Sequence, residues 1–499
     1  MCHMKTIGKI ILGLVAGVII LVLAVLLTIN TSFVQNKVLQ YATGRLSEKL
    51  QMPLSADSIS INFFKLKAQL FGVDVELPKG KTATAVSINS LYLDIIGKDV
   101  DIQGLRFKTD NHKPRKNEGK PKRGWFDAGH LDILADIKLQ VHHINKDSIS
   151  ASIVHLNATD SISGFFIKDM QLDATTNLQQ IHFRNAHIQH KNTIVNIPGL
   201  EMWLPNKKKD IAMSYYTTEP LTAYVVLQDI SQLFTRALSQ FTMPLNLSVM
   251  VEGDADTMQF RDIKVVNKDE RLHVYANGGI ENLRDKYLLN ISFHVDEMLA
   301  KSGIKHEIID QFPVKQFMMT QLNKLGDIRY TGNFSILRKR EVFSGVISTS
   351  KGHLELKNLT LNDSTKYVSG TVNTQDLELG QVIDMKDIGK IAAKATFEFD
   401  ISKERTAEVR RTKGGKLPVG AVEAEVIEAN YKKVKMKNIN VTVYSDGAIA
   451  EGELEHNNRI ADTAISFSFD DTKEMHKMKI KPHVKIHLPK IFSKKKKKD

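Results

Sequence analysis

Three successive patterns of apolar and polar residues divide the chain. Residues 7–29 read IGKIILGLVAGVIILVLAVLLTI, with Lys9 as the only charged residue. In residues 30–52, apolar positions recur at steps of three and four, which is typical of an amphipathic helix. From Leu54 onward, apolar and polar residues alternate over most of the chain, as expected for strands with one apolar and one polar face. The pattern therefore predicts an anchor, a helix and a long β region.

The segment 7–29 is long enough to span a bilayer, because about 20 apolar residues in a helix cross the ~30 Å hydrocarbon core. A cleaved secretory signal and an apolar core helix are the alternatives. The apolar run exceeds the usual h-region, and TINTSF after it contains no A-x-A cleavage site. We expect a retained single-pass anchor that follows a short cytoplasmic segment, 1–6, with the bulk of the chain on the far side of the membrane.

The predicted amphipathic helix in 30–52 has two interpretations. It lies on the membrane surface, or it closes the end of the folded body by packing over an exposed β edge.

Residues 53–490 are predicted to form a mostly β region with a few short helices. Roughly 20 or more strands can be counted, whereas twisted open sheets seldom exceed about 10 strands. The sheet is therefore expected to be antiparallel, elongated and curled, with an apolar groove. Turns are predicted at Asn277-Gly278-Gly279 and Ser445-Asp446-Gly447, and helices at 231–240, 297–312 and 314–325.

Thirteen regularly spaced apolar positions are the candidates for the lining of this groove. They are Leu93, Ile95, Ile137, Leu139, Val141, Leu247, Val249, Ile291, Phe293, Phe397, Phe399, Val441 and Phe467.

The charge distribution argues against nucleic acid as a partner. The net charge is +13, but Lys and Arg are interspersed with 56 acidic residues, and basic residues concentrate only at 113–123 and at the C-terminus. The tail 491–499 is either a solvated segment or a contact with anionic headgroups. Its candidate membrane-surface residues are Lys494, Lys495, Lys496, Lys497 and Lys498.

Signals of enzymatic or metal chemistry are weak. The chain has no G-x-S-x-G, P-loop, H-E-x-x-H or dinucleotide-binding motif, and its single cysteine, Cys2, excludes an intramolecular disulfide and a Cys-based zinc site. His483 and His487 share one strand face without a further ligand at a suitable spacing. We therefore expect no enzyme activity, no catalytic residue, no metal and no cofactor.

Two blocks of sequence resemble the AsmA-like proteins, particularly TamB-type members of Bacteroidetes-like bacteria. The first is the anchor followed by TSFVQNKVLQYATGRLSEKL and ISINFFKLKAQLFGVDVELPKGKTATAVSINSLYLDI. The second is LGDIRYTGNFSILRKREVFSGVISTSKGHLELKNLTL with YVSGTVNTQDLELGQVI. The chain is shorter than TamB proper and ends in a lysine tail, without the C-terminal domain that would engage an outer-membrane partner.

The resemblance implies an inner-membrane anchor that carries a periplasmic β-taco, a folded sheet whose groove shields acyl chains during phospholipid transport toward the outer membrane. The implied partners are membrane phospholipids and the inner membrane, with an outer-membrane protein or self-association completing the path. The alternative is an assembly factor that chaperones outer-membrane proteins by adding β strands at its sheet edges.

Overall fold

The fold was described from a computed structural model. It covers residues 32–50, 53–62, 65–76, 82–111, 124–127, 130–145, 147–177, 179–204, 214–233, 236–283, 285, 288–309, 323–338, 340–362, 364–383, 386–400, 402, 407–408, 411–412, 417–432, 434–457, 461–470 and 477–486. None of the helices in these ranges is both long and apolar enough to cross a bilayer. The expected anchor at 7–29 and the tail at 491–499 lie outside them.

Of the residues that the structure describes, 72% lie in strands, so the fold is mostly β. The chain divides into two compact units, Met1–Lys268 and Asp269–Asp499, a division that the alternating pattern does not mark.

The described part of the first unit contains strands β1–β13. They are β1 (Leu54–Asn62), β2 (Lys67–Glu76), β3 (Thr82–Asp94), β4 (Asp99–Asn111), β5 (Asp132–Ile144), β6 (Ser148–Asp160), β7 (Phe166–Asn177), β8 (Gln180–His190), β9 (Thr193–Trp203), β10 (Tyr215–Thr218), β11 (Leu221–Val226), β12 (Pro244–Gly253) and β13 (Thr257–Asn267). Its helices are α1 (Ser32–Leu50) and α2 (Leu227–Ile230).

The described part of the second unit contains strands β14–β25. They are β14 (Leu272–Glu281), β15 (Asn290–Ala300), β16 (Ile328–Leu337), β17 (Arg340–Thr349), β18 (Gly352–Asn362), β19 (Tyr367–Glu378), β20 (Ile388–Asp400), β21 (Val419–Tyr431), β22 (Val434–Asp446), β23 (Ile449–Asn457), β24 (Ala461–Asp470) and β25 (Lys477–Ile486). Its helices are α3 (Ser302–Ile309) and α4 (Leu379–Ile383).

Within each unit, strands pair antiparallel with their neighbours in sequence. One local exception occurs in the first unit, where β9 and β12 each pair with both β10 and β11. The predicted alternation of apolar and polar faces is therefore realised in an antiparallel sheet within each unit.

Bulges interrupt several strands at residues with positive φ. Gly104 (φ 62°) occupies such a position in β4, and Asn185 (φ 53°) and Asn358 (φ 50°) in β8 and β18. Gly and Asn are the residues that adopt this left-handed conformation most readily. A bulge bends its strand and raises the local twist.

The N-terminal helix packs on the sheet. The buried cluster joins Leu39, Ala42 and Leu46 of α1 to Leu70 and Leu91, among other residues of β1–β3. A helix therefore forms where the pattern predicts it, and of the two interpretations the structure favours the one in which it covers the folded body. It covers the face of β1–β3 rather than only a β edge.

The predicted turn at Asn277-Gly278-Gly279 is wrong, because these residues lie inside β14 and pair with His294, Phe293 and Ser292. Only glycine fits at position 278, because a Cβ there would overlap the Phe293 ring and the Ser292 carbonyl oxygen.

The turn at Ser445-Asp446-Gly447 is confirmed. The Asp446 carboxylate accepts the backbone N–H of Ala448 at 2.9 Å, and Gly447 has a φ of 94°.

The helix predicted at 297–312 begins too early. Strand β15 continues to Ala300, because Met298 and Leu299 remain paired with β14 and β16, and α3 starts only at Ser302. The segment 231–240 forms two short 3-10 turns, Ser231–Leu233 and Arg236–Gln240. Most of the helix predicted at 314–325 lies outside the described residues.

Candidate functional site

The sheet of the first unit carries one uninterrupted row of apolar residues, which we call the central row. Each member lies directly opposite the next on the neighbouring strand, and such residues share one face of a sheet. The row consists of Ile59, Leu70, Leu91, Ile102, Ile137, Leu156, Met170, Ile188, Val195, Ala223, Leu247 and Val265. All twelve strands that contribute to it place an apolar residue on the same face.

The burial of the central row changes along its length. Leu70 and Leu91 are 2% and 0% exposed beneath α1, whereas Ile137, Leu156 and Met170 on β5–β7 are half-buried. These three residues belong to neither of the buried clusters found among the described residues. The apolar face is thus packed at one end and incompletely covered further along.

The second unit has two such rows. The aliphatic row consists of Ala276, Val295, Gly332, Gly345, Leu356, Val372, Ala395, Ala424, Val441, Leu454, Ile465 and Pro482. The aromatic row beside it consists of Gly278, Phe293, Phe334, Phe343, Leu359, Gly370, Phe397, Val422, Val443, Gly452 and Phe467. Every side chain of the aromatic row is half-buried.

Aromatic rings cover glycines of the neighbouring strands. A Cβ on Gly420 would come within 2.6 Å of the Phe399 ring, and one on Gly452 would overlap the Phe467 ring. Phe334 and Phe343 pack against each other with ring centroids 4.7 Å apart. These rings therefore lie along the sheet surface.

The opposite face of the sheet in the second unit is polar, and its polar residues also form rows across successive strands. One such row contains Lys357, Thr371, Thr396, Glu423, Thr442, Glu453, Ser466 and Lys481. A sheet with one apolar and one polar face can adsorb an apolar ligand on one side while the other side stays in water.

Ion pairs and hydrogen bonds in the first unit join its strands. Arg106 of β4 donates two hydrogen bonds to the Asp132 carboxylate of β5, at 2.7 and 2.8 Å. These bonds lower the pKa of Asp132 below its ordinary value. Ser152 donates to Asp173 at 2.6 Å, and this bond together with one from Asn185 lowers the pKa of Asp173.

In the first unit, a histidine, a serine and an aspartate lie in one hydrogen-bonded chain. Their order differs from that of a catalytic triad. The His142 ring contacts the Ser152 hydroxyl at 2.6 Å, and the same hydroxyl donates to Asp173 rather than to the histidine. In a serine-nucleophile site the carboxylate orients the histidine, which in turn accepts the serine proton. Among the described residues, no group of His, Cys, Asp and Glu is arranged to hold a metal ion.

The structure places six of the thirteen predicted lining residues on the apolar rows. Ile137 and Leu247 belong to the central row, Val441 to the aliphatic row, and Phe293, Phe397 and Phe467 to the aromatic row. The remaining strand residues pair with apolar partners on adjacent strands: Leu93 with Val100, Leu139 with Ile153, Val141 with Ala151, Val249 with Leu221, Ile291 with Ile336, and Phe399 with Val368.

Three of these candidates, Ile95, Leu93 and Val249, are not partly exposed strand residues, and Val249 is only 6% exposed. Ile95 is not in a strand: β3 ends at Asp94, whose carboxylate accepts the Gly97 N–H at 3.0 Å and closes a turn, while Ile95 donates its N–H to the Leu66 carbonyl. Leu93 lies in the buried cluster under α1 and is only 6% exposed. The five lysines 494–498 lie outside the described residues.

Sequence reasoning missed several members of the rows. Leu156 and Met170 lie beside bulges at which the pairing register shifts, so simple alternation does not reveal which face they occupy. Phe334 and Phe343 are half-buried and flank Gly332 and Gly345, a pattern of alternating aromatic and glycine positions that is visible in the sequence.

Together, the fold and this surface define a mostly β protein whose antiparallel strands display continuous apolar rows opposite polar ones. No family model matches the chain, and no curated protein matches its sequence significantly.

Proposed function

We propose that the apolar rows bind acyl chains of phospholipids and that the protein carries them through the periplasm from the inner membrane, where residues 7–29 anchor it, toward the outer membrane. The observation that carries the proposal is the continuity of the central, aliphatic and aromatic rows. Each CH₂ of an acyl chain removed from water contributes about 0.8 kcal/mol. Strands on which a row is only half-covered offer that gain.

The dimensions fit an acyl chain. Neighbouring strands lie about 4.8 Å apart, and half of a ~30 Å hydrocarbon core is about 15 Å, so one chain laid along a row would contact three or four strands. The bulges at Gly104, Asn185 and Asn358 would bend the strands, and we propose that the sheet curls so that the apolar rows line a groove. The binding step needs no catalytic residue.

Outer-membrane protein assembly by strand addition is the alternative function. Among the described strands, β1 pairs only with β2 and β25 only with β24, so the other edge of β25 is one of the places for such an addition. However, β25 carries Pro482 and exposed Lys481 and Lys485, which are features that discourage strand pairing at an edge. The sequence of this edge therefore favours the lipid function.

The test is lipid retention by the full-length protein after purification and extensive washing. We expect phospholipid to co-purify with the wild type and to be lost severalfold in Leu139→Asp and Phe293→Asp, because each places a charge on an apolar row. Ser292→Asp is the matched control, since Ser292 is exposed next to Phe293 on the polar face. Equal retention by all variants, or stable binding of unfolded barrel proteins without lipid, would argue against the proposal.

A further inference from the structure

Helix α1 blocks one end of the central row. Its Leu39, Ala42 and Leu46 occupy the apolar face above Leu70 and Leu91, where they bury both side chains almost completely. On these strands the row has no surface left for a ligand.

Strand β4 is the border of the covered region. Val100, Ile102 and Leu105 are half-buried and pack against the rim of the buried cluster. On the next strand, Ile137 continues the row directly opposite Ile102 but lies outside the cluster. The pairing of Ile102 with Ile137 carries the row across this border, although the register of β4 and β5 shifts beside it, between Ile102 and Leu105.

We infer that α1 is the end wall of the lipid site, and that an acyl chain arriving from the membrane of the anchor first binds beside this wall, on β5–β7. This inference rests on the proposed function and specifies where loading occurs. The first-contact surface consists of Ile137, Leu139, Val141, Ile153, Leu156 and Met170.

The packing of α1 indicates which ligand chemistry this face accepts. The helix covers β1–β3 with the aliphatic side chains of Leu39, Ala42 and Leu46. Ile137, Leu156 and Met170 continue the same row, on the same face, without that cover. Three adjacent strands at about 4.8 Å spacing also suit the length of one acyl chain, about 15 Å. A flexible aliphatic chain is therefore the occupant that best replaces the helix on β5–β7.

Time-resolved photocrosslinking tests the inference. The full-length protein is reconstituted into vesicles that contain a phospholipid with a diazirine in its acyl chain, irradiated at increasing times, and mapped by mass spectrometry. We expect the earliest crosslinks on Ile137, Leu139 and Leu156, at least tenfold more than on Leu70 or Leu91. Earliest crosslinks on Leu70 or Leu91, or on the second unit, would overturn the inference while supporting lipid binding. Absence of crosslinks throughout would reject the proposed function as well.

A variant pair tests the role of the helix as a wall. Ala42→Glu places a charge in the buried interface and is expected to extend crosslinking onto Leu91. Gln40→Glu alters the exposed side of α1 and should leave the wild-type map unchanged. If Ala42→Glu does not fold, the inference is judged from the crosslinking map of the wild type alone. A folded Ala42→Glu protein with Leu91 still unlabelled would contradict the assignment of α1 as the wall.

Discussion

The central row passes through two regions of the first unit that have the same apolar chemistry and different burial. On β1–β3 it is sealed beneath α1, and Leu91 is fully buried. On β5–β7 the same row is half-buried, with Leu156 as the corresponding leucine. The comparison separates apolar residues that stabilise the fold from those that remain available to a ligand.

The difference arises from the cover and not from the strands. Every apolar side chain favours removal from water at about 25 cal/mol per Å². On β1–β3 the protein supplies the covering surface itself through Leu39, Ala42 and Leu46. On β5–β7 the apolar row is only half-buried, so part of that driving force is unused in the folded chain.

The sharpest test of this comparison is the matched pair Leu91→Ala and Leu156→Ala. Both remove the same atoms from the same row. Leu91→Ala should lower the free energy of unfolding by about 2–5 kcal/mol, because it leaves a cavity in a closed core. Leu156→Ala should lower the free energy of unfolding by clearly less, since its site is partly open. Urea denaturation followed by circular dichroism measures both.

Lipid retention should show the opposite order. Leu156→Ala is expected to reduce bound phospholipid, whereas Leu91→Ala, where it is folded, should retain it. Equal losses of stability in the two variants would remove the distinction between a covered and an open region.

At the border between the two regions, the hydrogen bonds from Arg106 to Asp132 join β4 to β5 on the polar face. Asp132→Asn should lower the free energy of unfolding at pH 7, because it weakens hydrogen bonds between charged groups, and the half-exposed Arg106 side chain limits the size of this loss. The pKa of Asp132 is lower in the folded state. Its contribution is therefore fully present above the unfolded value near ~3.9 and is lost as the pH falls through the lower folded value.

Unfolding curves of the wild type and Asp132→Asn between pH 7 and pH 2 check this dependence. The difference between them should shrink below about pH 4. A difference that stays constant down to pH 2 would show that the carboxylate charge does not carry the effect.

Much of the fold could be predicted from alternation alone, because directly opposite residues on antiparallel strands share a face. Ile137 and Phe293 were identified in this way, and they lie on the apolar rows. Ile95 was not placed correctly, because Asp94 closes a turn through a hydrogen bond that periodicity does not express. The glycines of Asn277-Gly278-Gly279 resemble a turn, yet they make room for a ring from the next strand.

The difference between covered and open strands could not be predicted from the sequence. Leu91 and Leu156 lie in similar alternating segments, and their burial depends on whether a distant helix packs above them. The bulge at Asn185 could not be predicted from the sequence either. This single residue with positive φ changes which of its neighbours face the apolar side, and no local sequence pattern indicates it.

A third prediction concerns the second unit, where rings and glycines pack within the sheet. Gly452→Ala should destabilise it by about 1–3 kcal/mol, the usual cost of overpacking, because the new Cβ would overlap the Phe467 ring. The double variant Gly452→Ala/Phe467→Leu should recover part of the loss, since it removes the ring. Thermal unfolding of the wild type, both single variants and the double variant measures the effect. Additive losses would mean that the ring and the glycine do not pack together.

The smallest expected effect concerns α1 itself. Gly44 lies on its exposed side, and a Cβ there would meet no atom within 4 Å. Gly44→Ala should therefore stabilise the helix by up to about 1 kcal/mol through backbone propensity alone. Because the helix and the buried cluster of β1–β3 form one packed region, this gain should slow hydrogen exchange of α1 and of the β1–β2 ladder together. It should leave β5–β7 and their lipid retention unchanged. Slower exchange confined to α1 would show that the helix opens independently of the strands it covers, and so would not serve as a fixed wall.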